Sequence, residues 1–146
     1  MSRSLARNVI TQMVYTRMAG GNADEGSMSL ALECISKADV SANEQQLTED
    51  DKQFIKNTLT DITQHEEVLT ERISTCLPDQ WPLERIAYIN KCILQLCTYE
   101  MLYCDQIPNN VAISEALLLA NQFSDPKSTR FINGVLGAIQ RKLTES

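Results

Sequence analysis

Phe131-Ile132-Asn133-Gly134-Val135-Leu136 is the stretch whose reading decides the fold. An Asn-Gly pair between apolar runs is ordinarily the strongest short signal of a β-hairpin. Here the surrounding apolar residues repeat with a helical period, so the segment reads as helix and the pair as part of it. Phe131, Val135, Ala138 and Ile139 then share one face, and Gly134 is expected to mark a point where a neighbouring helix comes close. A helix's length upstream, Val111-Ala112-Ile113-Ser114-Glu115-Ala116 opens a second apolar helical run, with Ile113, Leu117, Leu119 and Ala120 also expected inside.

The same period extends along the chain. Leu5, Val9, Ile10, Met13 and Val14 form a broad stripe on a first helix that Gly20-Gly21-Asn22 ends. A second helix is expected over residues 27–37, followed by a polar connection to Gln46. Thr48 with Asp51 three residues later makes a capping box ahead of Phe54, Ile55, Leu59 and Ile62. A fourth helix runs from Glu66 to about Cys76 and is stopped by Pro78. Pro82 suits the first turn of a long helix, and behind it Leu83, Ile86, Ile89, Ile93, Leu96 and Met101 leave almost no polar side, which places that helix at the centre. Pro108-Asn109 opens the next helix, and Ser128 is expected to cap the last. The fold class is all-α, about seven helices with short connections. One domain is expected over 1–146, with subdomains at about 1–77 and 78–146.

With 146 residues, 43 % of them apolar, the chain can bury a core without metal or disulfide support. Its five cysteines are odd in number and lie in apolar helical patterns, which suits buried thiols in a reducing compartment and a cytoplasmic protein. The most apolar segment, Ile86 to Cys104, is interrupted by Asn90, Lys91, Gln95 and Glu100, so no membrane span is expected. The net charge of −6 is uneven: Met1 to Ala23 holds Arg3, Arg7 and Arg17 and no acid, while Asp24 to Glu71 holds most of the acidic residues. A nucleic-acid binder of this overall charge needs a local basic face, because counterion release from phosphates supplies most nonspecific affinity.

No residue pattern carries catalysis. His65 sits in Thr63-Gln64-His65-Glu66-Glu67 without a nucleophile beside it, which reads as a helix surface or junction. Cys97 and Cys104 share a helical face but have neither a histidine nor a C-x-x-C pair, so no metal is expected. Gly20-Gly21 lacks the strand and the Lys-Ser/Thr of a phosphate loop. No cofactor is expected, and the chain reads as a non-enzyme.

Several strings, in this order and spacing, resemble the NusB family of transcription antitermination factors over nearly the whole chain: Ser2-Arg3-Ser4-Leu5-Ala6-Arg7, Gln12-Met13-Val14-Tyr15, Trp81-Pro82-Leu83-Glu84-Arg85-Ile86, Lys91-Cys92-Ile93-Leu94, Tyr99-Glu100-Met101-Leu102, and Arg130 through Leu136. The resemblance implies two three-helix bundles sharing a long central helix. It also implies a factor that binds boxA RNA together with NusE, the small-subunit ribosomal protein, within an antitermination assembly on RNA polymerase. Arg3 and Arg7 are one helical turn apart and suit contacts to phosphates or base edges, with Tyr15 continuing that side. Arg130-Phe131 offers one cation and one aromatic ring of the kind that stack unpaired bases. The resemblance puts Arg3, Arg7, Tyr15, Arg130 and Phe131 near the RNA, and Glu84, Asn90 and Lys91 on the partner surface.

Departures from the family pattern bear on affinity. Asn90 replaces the usual acid, Gln95 replaces a usual arginine, Asn110 and Asn121 replace frequent lysines, and Lys127 stands where some members carry an acid. RNA binding is therefore expected to lean on the ribosomal partner and to fall steeply with salt. A different class stays open: a protein-interaction module or homodimer of the same fold with weakened RNA binding, whose acidic stretch attracts a basic partner. A ribosomal-RNA methyltransferase's recruiting domain resembles this fold too, but a methyltransferase portion is missing.

Overall fold

The capping box at Thr48 forms as its spacing requires: the Asp51 amide donates to Thr48 Oγ1 and the Thr48 amide to Asp51 Oδ2, both at 3.1 Å. These two bonds satisfy donors that the first helical turn leaves orphaned. The computed structural model describes residues 2–20, 47–78 and 81–145. The described residues contain six α-helices and no strand: α1 (Ser2–Met18), α2 (Glu49–Gln64), α3 (Glu66–Thr75), α4 (Tyr88–Tyr103), α5 (Asn109–Phe123) and α6 (Pro126–Glu145), with a 3-10 turn at Leu83–Arg85. The helix expected over residues 27–37, the connection after it, and Cys34 lie outside the described residues.

The chain divides into two compact units, Met1–Thr63 and Gln64–Ser146. In the first, α1 buries Ala6, Val9, Ile10, Met13 and Val14, which is the stripe its period announces, and also Arg7, Asn8 and Thr11. Gly20 ends it with φ +95°, the left-handed backbone that a residue without Cβ adopts at least cost, and its amide donates to the Arg17 carbonyl at 3.0 Å. Arg17 Nη1 donates to Thr63 Oγ1 near the end of α2. Along α2, Ile55, Thr58 and Ile62 are buried.

In the second unit α4 is the hub, in contact with α3, α5 and α6, while α3 also meets α6 and α5 packs on α6. Every residue from Cys92 to Met101 on α4 is buried, as expected of a helix surrounded by others. Ile132, Val135, Leu136 and Ile139 supply the inner face of α6, and Ala112, Ala116, Leu119 and Ala120 that of α5. His65 sits at the junction of α2 and α3 with its ring stacked on Tyr103, centroids 4.2 Å apart. Cys92 and Cys97 are buried thiols; Cys76 and Cys104 are half-buried, and none of the four is in a disulfide.

Four local expectations are corrected. The Asn133-Gly134 pair is helical, but Gly134 is no close-packing point: a Cβ there would meet nothing within 4 Å. The apolar face of α6 lies on its neighbours at 132, 135, 136 and 139, so the glycine looks outward and Phe131 is only half-buried. The long helix does not start at Pro82. That proline opens the short 3-10 turn, and extended backbone at Ile86 (ψ 134°) and Ala87 (ψ 143°) delays α4 until Tyr88. The cap of α6 is Asp125, whose Oδ1 accepts from the Ser128 amide at 2.7 Å, and not Ser128. Val111 is exposed, because the face of α5 that meets α4 and α6 is set by the four smaller or later residues named above.

Candidate nucleic-acid interface

The turn that separates Pro82 from α4 and the cap that starts α6 face one another across a cavity of about 330 Å³ within the second unit. Its wall comprises Trp81, Arg85, Ile86, Ala87 and Asn90 on one side and Asp125, Lys127, Ser128 and Phe131 on the other. The Trp81 and Phe131 rings meet with centroids 5.8 Å apart, tilted by 43°. Trp81 remains 44 % exposed, so a large aromatic face is open to a ligand beside a half-buried partner ring. Arg85 and Lys127 are exposed, and Arg130 is exposed next to Phe131. The floor is apolar at Ile86 and polar at Asn90, which is 6 % exposed and accepts a 3.0 Å hydrogen bond on Oδ1 from Ser124 Oγ. Aromatic surface, nearby cations and one oriented amide form the combination that holds unpaired bases.

Asp125 is held below its ordinary value of 3.8, first by the hydrogen bond from the Ser128 backbone amide, then by the Ser128 side chain and the charge of Lys127. A carboxyl that ionises more readily when folded adds stability above its unfolded value, and that contribution is lost as pH falls through the folded one. Protection of the amides in the first turn of α6, taken relative to their intrinsic exchange rate, is therefore expected to fall as pH drops below about 3.8, and Asp125→Asn should keep the cap while removing that acid dependence. An acid response identical in the variant would deny the carboxylate this role.

The expected site residues distribute unevenly. Phe131 and Asn90 share the cavity, which joins a residue assigned to RNA with one assigned to a partner. Glu84 is exposed on the 3-10 turn, and Lys91 is half-buried with its ammonium 5.3 Å from the centre of the exposed Tyr88 ring. Arg3, Arg7 and Tyr15 belong to the other unit, all on α1. Tyr15 is exposed, whereas Arg7 is only 6 % exposed, a placement that the i,i+4 spacing with Arg3 did not foretell. Trp81, Arg85 and Ser124 were not singled out from sequence as functional. The available signal was Trp81 itself, the only tryptophan, directly ahead of a proline.

These elements define an all-helical binding protein with an aromatic and cationic cavity. The NusB family model matches residues 1–141, and the chain belongs to the NusB family. The transcription antitermination protein NusB of Dehalococcoides mccartyi is 32 % identical over 146 residues, spanning 99 % of this chain and 94 % of that protein. NusB of T. maritima superposes with a TM-score of 0.77 at 22 % identity, covering 96 % of this chain and 91 % of that one. NusB from a crystal structure of the antitermination factors NusB and NusE with double-stranded RNA gives 0.75 at 20 % identity, covering 96 % of each chain. The all-helical fold is thus the NusB fold. Among the described residues, no helix is long and apolar enough to cross a membrane.

Proposed function

We propose that this chain is a transcription antitermination factor that binds boxA RNA together with NusE and joins the antitermination assembly on RNA polymerase, promoting rRNA transcription. It works in the cytoplasm as a single binding domain and without catalysis. Two kinds of support converge: a relative matched over nearly the whole chain carries the name transcription antitermination protein, and a solved relative holds NusE and RNA. The observation that carries the reading to particular atoms is the Trp81–Phe131 pair beside Arg85 and Lys127, a local stacking and cationic surface on a chain of net charge −6.

Arg130 and Phe131 form the RNA contacts of the second unit, with Trp81 as an added stacking face. Arg3 and Tyr15 are contacts on the first. Arg7, being buried, acts by holding α1 as well as by any charge it lends to RNA. Glu84 and Lys91 are left to the protein partner. A second reading, a protein-binding module or homodimer, draws on Val111 and Leu118, exposed by 43 % and 60 % and two turns apart on one side of α5.

Binding of a labelled single-stranded boxA RNA, measured at two salt concentrations with and without NusE, tests the proposal. Affinity that strengthens with NusE and falls with salt, at a slope of about 0.7 per phosphate neutralised, is the expected outcome. NusE binding without any RNA binding would leave the protein-module reading in its place.

A further inference from the structure

The polar residue at the bottom of the cavity has one working end. Asn90 Oδ1 accepts from Ser124 Oγ at 3.0 Å, so in this structure the amide oxygen is occupied and Nδ2 is its other end. Among the described residues nothing accepts from its Nδ2, yet that nitrogen is not sealed away from solvent as the orphaned Gln95 Oε1 and Thr98 Oγ1 are. Asn90 lines the cavity while its residue is nine-tenths buried, so the amide nitrogen is the group it offers to a ligand there. Arg85, Lys127 and the Trp81 indole are further donors around the same wall, and only Asp125 is a dedicated acceptor. A cavity of about 330 Å³ stands at the small end of the ligand-pocket range, with room for one ring system rather than an extended molecule.

We infer that this cavity takes one unpaired RNA base by its keto edge, with the Asn90 amide nitrogen donating to the base's carbonyl oxygen while Trp81 and Phe131 contact the ring. The inference rests on the RNA-binding reading above. Uracil and guanine present a carbonyl oxygen where cytosine and adenine present an amino group. Set against Nδ2 in the observed orientation, the first makes a hydrogen bond and the second places donor against donor. Asn90 and Ser124 together are then the specificity-determining pair: one supplies the donor, the other occupies the amide oxygen in the observed orientation.

Because Trp81 is the only tryptophan and lies on the cavity wall, its fluorescence reports occupancy directly. The probes are oligouridylate and oligocytidylate of equal length, two pyrimidines matched in size that differ at this edge. Oligouridylate is expected to quench Trp81 at roughly tenfold lower concentration than oligocytidylate, the scale of one hydrogen bond with its mismatch penalty. In Asn90→Asp the outer atom becomes an acceptor, and the preference should vanish or invert even as both affinities fall from the added charge. Ser124→Ala, which leaves Asn90 in place but removes the partner of its Oδ1, should narrow the ratio without abolishing quenching.

Equal quenching by the two homopolymers in the unaltered protein, or a ratio unchanged in both variants, overturns the inference. Failure of both homopolymers while boxA RNA still binds places the RNA elsewhere and overturns it with the RNA reading intact. Failure of every RNA, boxA included, removes both.

Discussion

Ile93→Ala is expected to destabilise the protein by about 2–5 kcal/mol, out of a total that for a domain of this size is about 5–15 kcal/mol. Ile93 has no accessible surface and lies at the middle of α4, between Cys92 and Leu94, which are equally buried. Since α4 touches α3, α5 and α6, a cavity opened at Ile93 removes dispersion contacts that no single neighbour can restore by moving. Urea unfolding followed by far-ultraviolet circular dichroism measures the loss, with the midpoint falling and the slope held. Leu118→Ala on α5 is the control: with 60 % of its surface already in water it should change stability by no more than about 0.5 kcal/mol. Comparable losses in the two variants would mean that α4 is not the centre of the core.

What the sequence disclosed about this fold follows from which physical signals are local. Apolar periodicity belongs to a single helix, so the helical reading of the Asn133-Gly134 stretch and the buried stripe on α1 come directly from residue spacing. The Thr48 and Asp51 capping box is also local, complete within four residues. Features that depend on which neighbour sits where were not readable. Gly134 looked like a packing point, yet only the rotation of α6 against α4 and α5 determines that it faces outward. Pro82 is compatible with a helix start, but extended backbone at Ile86 and Ala87 separates it from α4.

The candidate site divides in the same way. Arg130 and Phe131 are adjacent and could be paired from sequence, whereas Trp81 and Phe131 lie fifty residues apart and meet only through the fold. Arg7 shows the opposite failure. Its spacing from Arg3 says that they share a side of α1, but says nothing about whether that side is wet at position 7, where the side chain is 6 % exposed. A charge so placed combines structural and electrostatic roles, so loss of RNA binding in Arg7→Ala alone would not identify an RNA contact.

Trp81→Ala is free of that ambiguity, and it should produce the largest loss of RNA affinity of any exposed substitution in the second unit. Removing a stacking face costs about 1–3 kcal/mol per base, which converts to roughly fivefold to more than a hundredfold in affinity. The ring is 44 % exposed, and its aromatic neighbour is the half-buried Phe131, so unfolding should shift far less than in Ile93→Ala. A stacking loss carries no counterion term. The dependence of affinity on salt should therefore keep its slope in Trp81→Ala while the whole line drops. Arg130→Gln should do the reverse, with a modest loss at low salt and a slope reduced by about 0.7 if its guanidinium meets one phosphate. Plotting both variants against salt separates base contact from backbone contact with no structural information about the RNA. Should Trp81→Ala bind boxA RNA as the unaltered protein does, yet lose NusE, the exposed indole belongs to the protein partner, and the cavity beside it is part of that interface rather than a seat for a base.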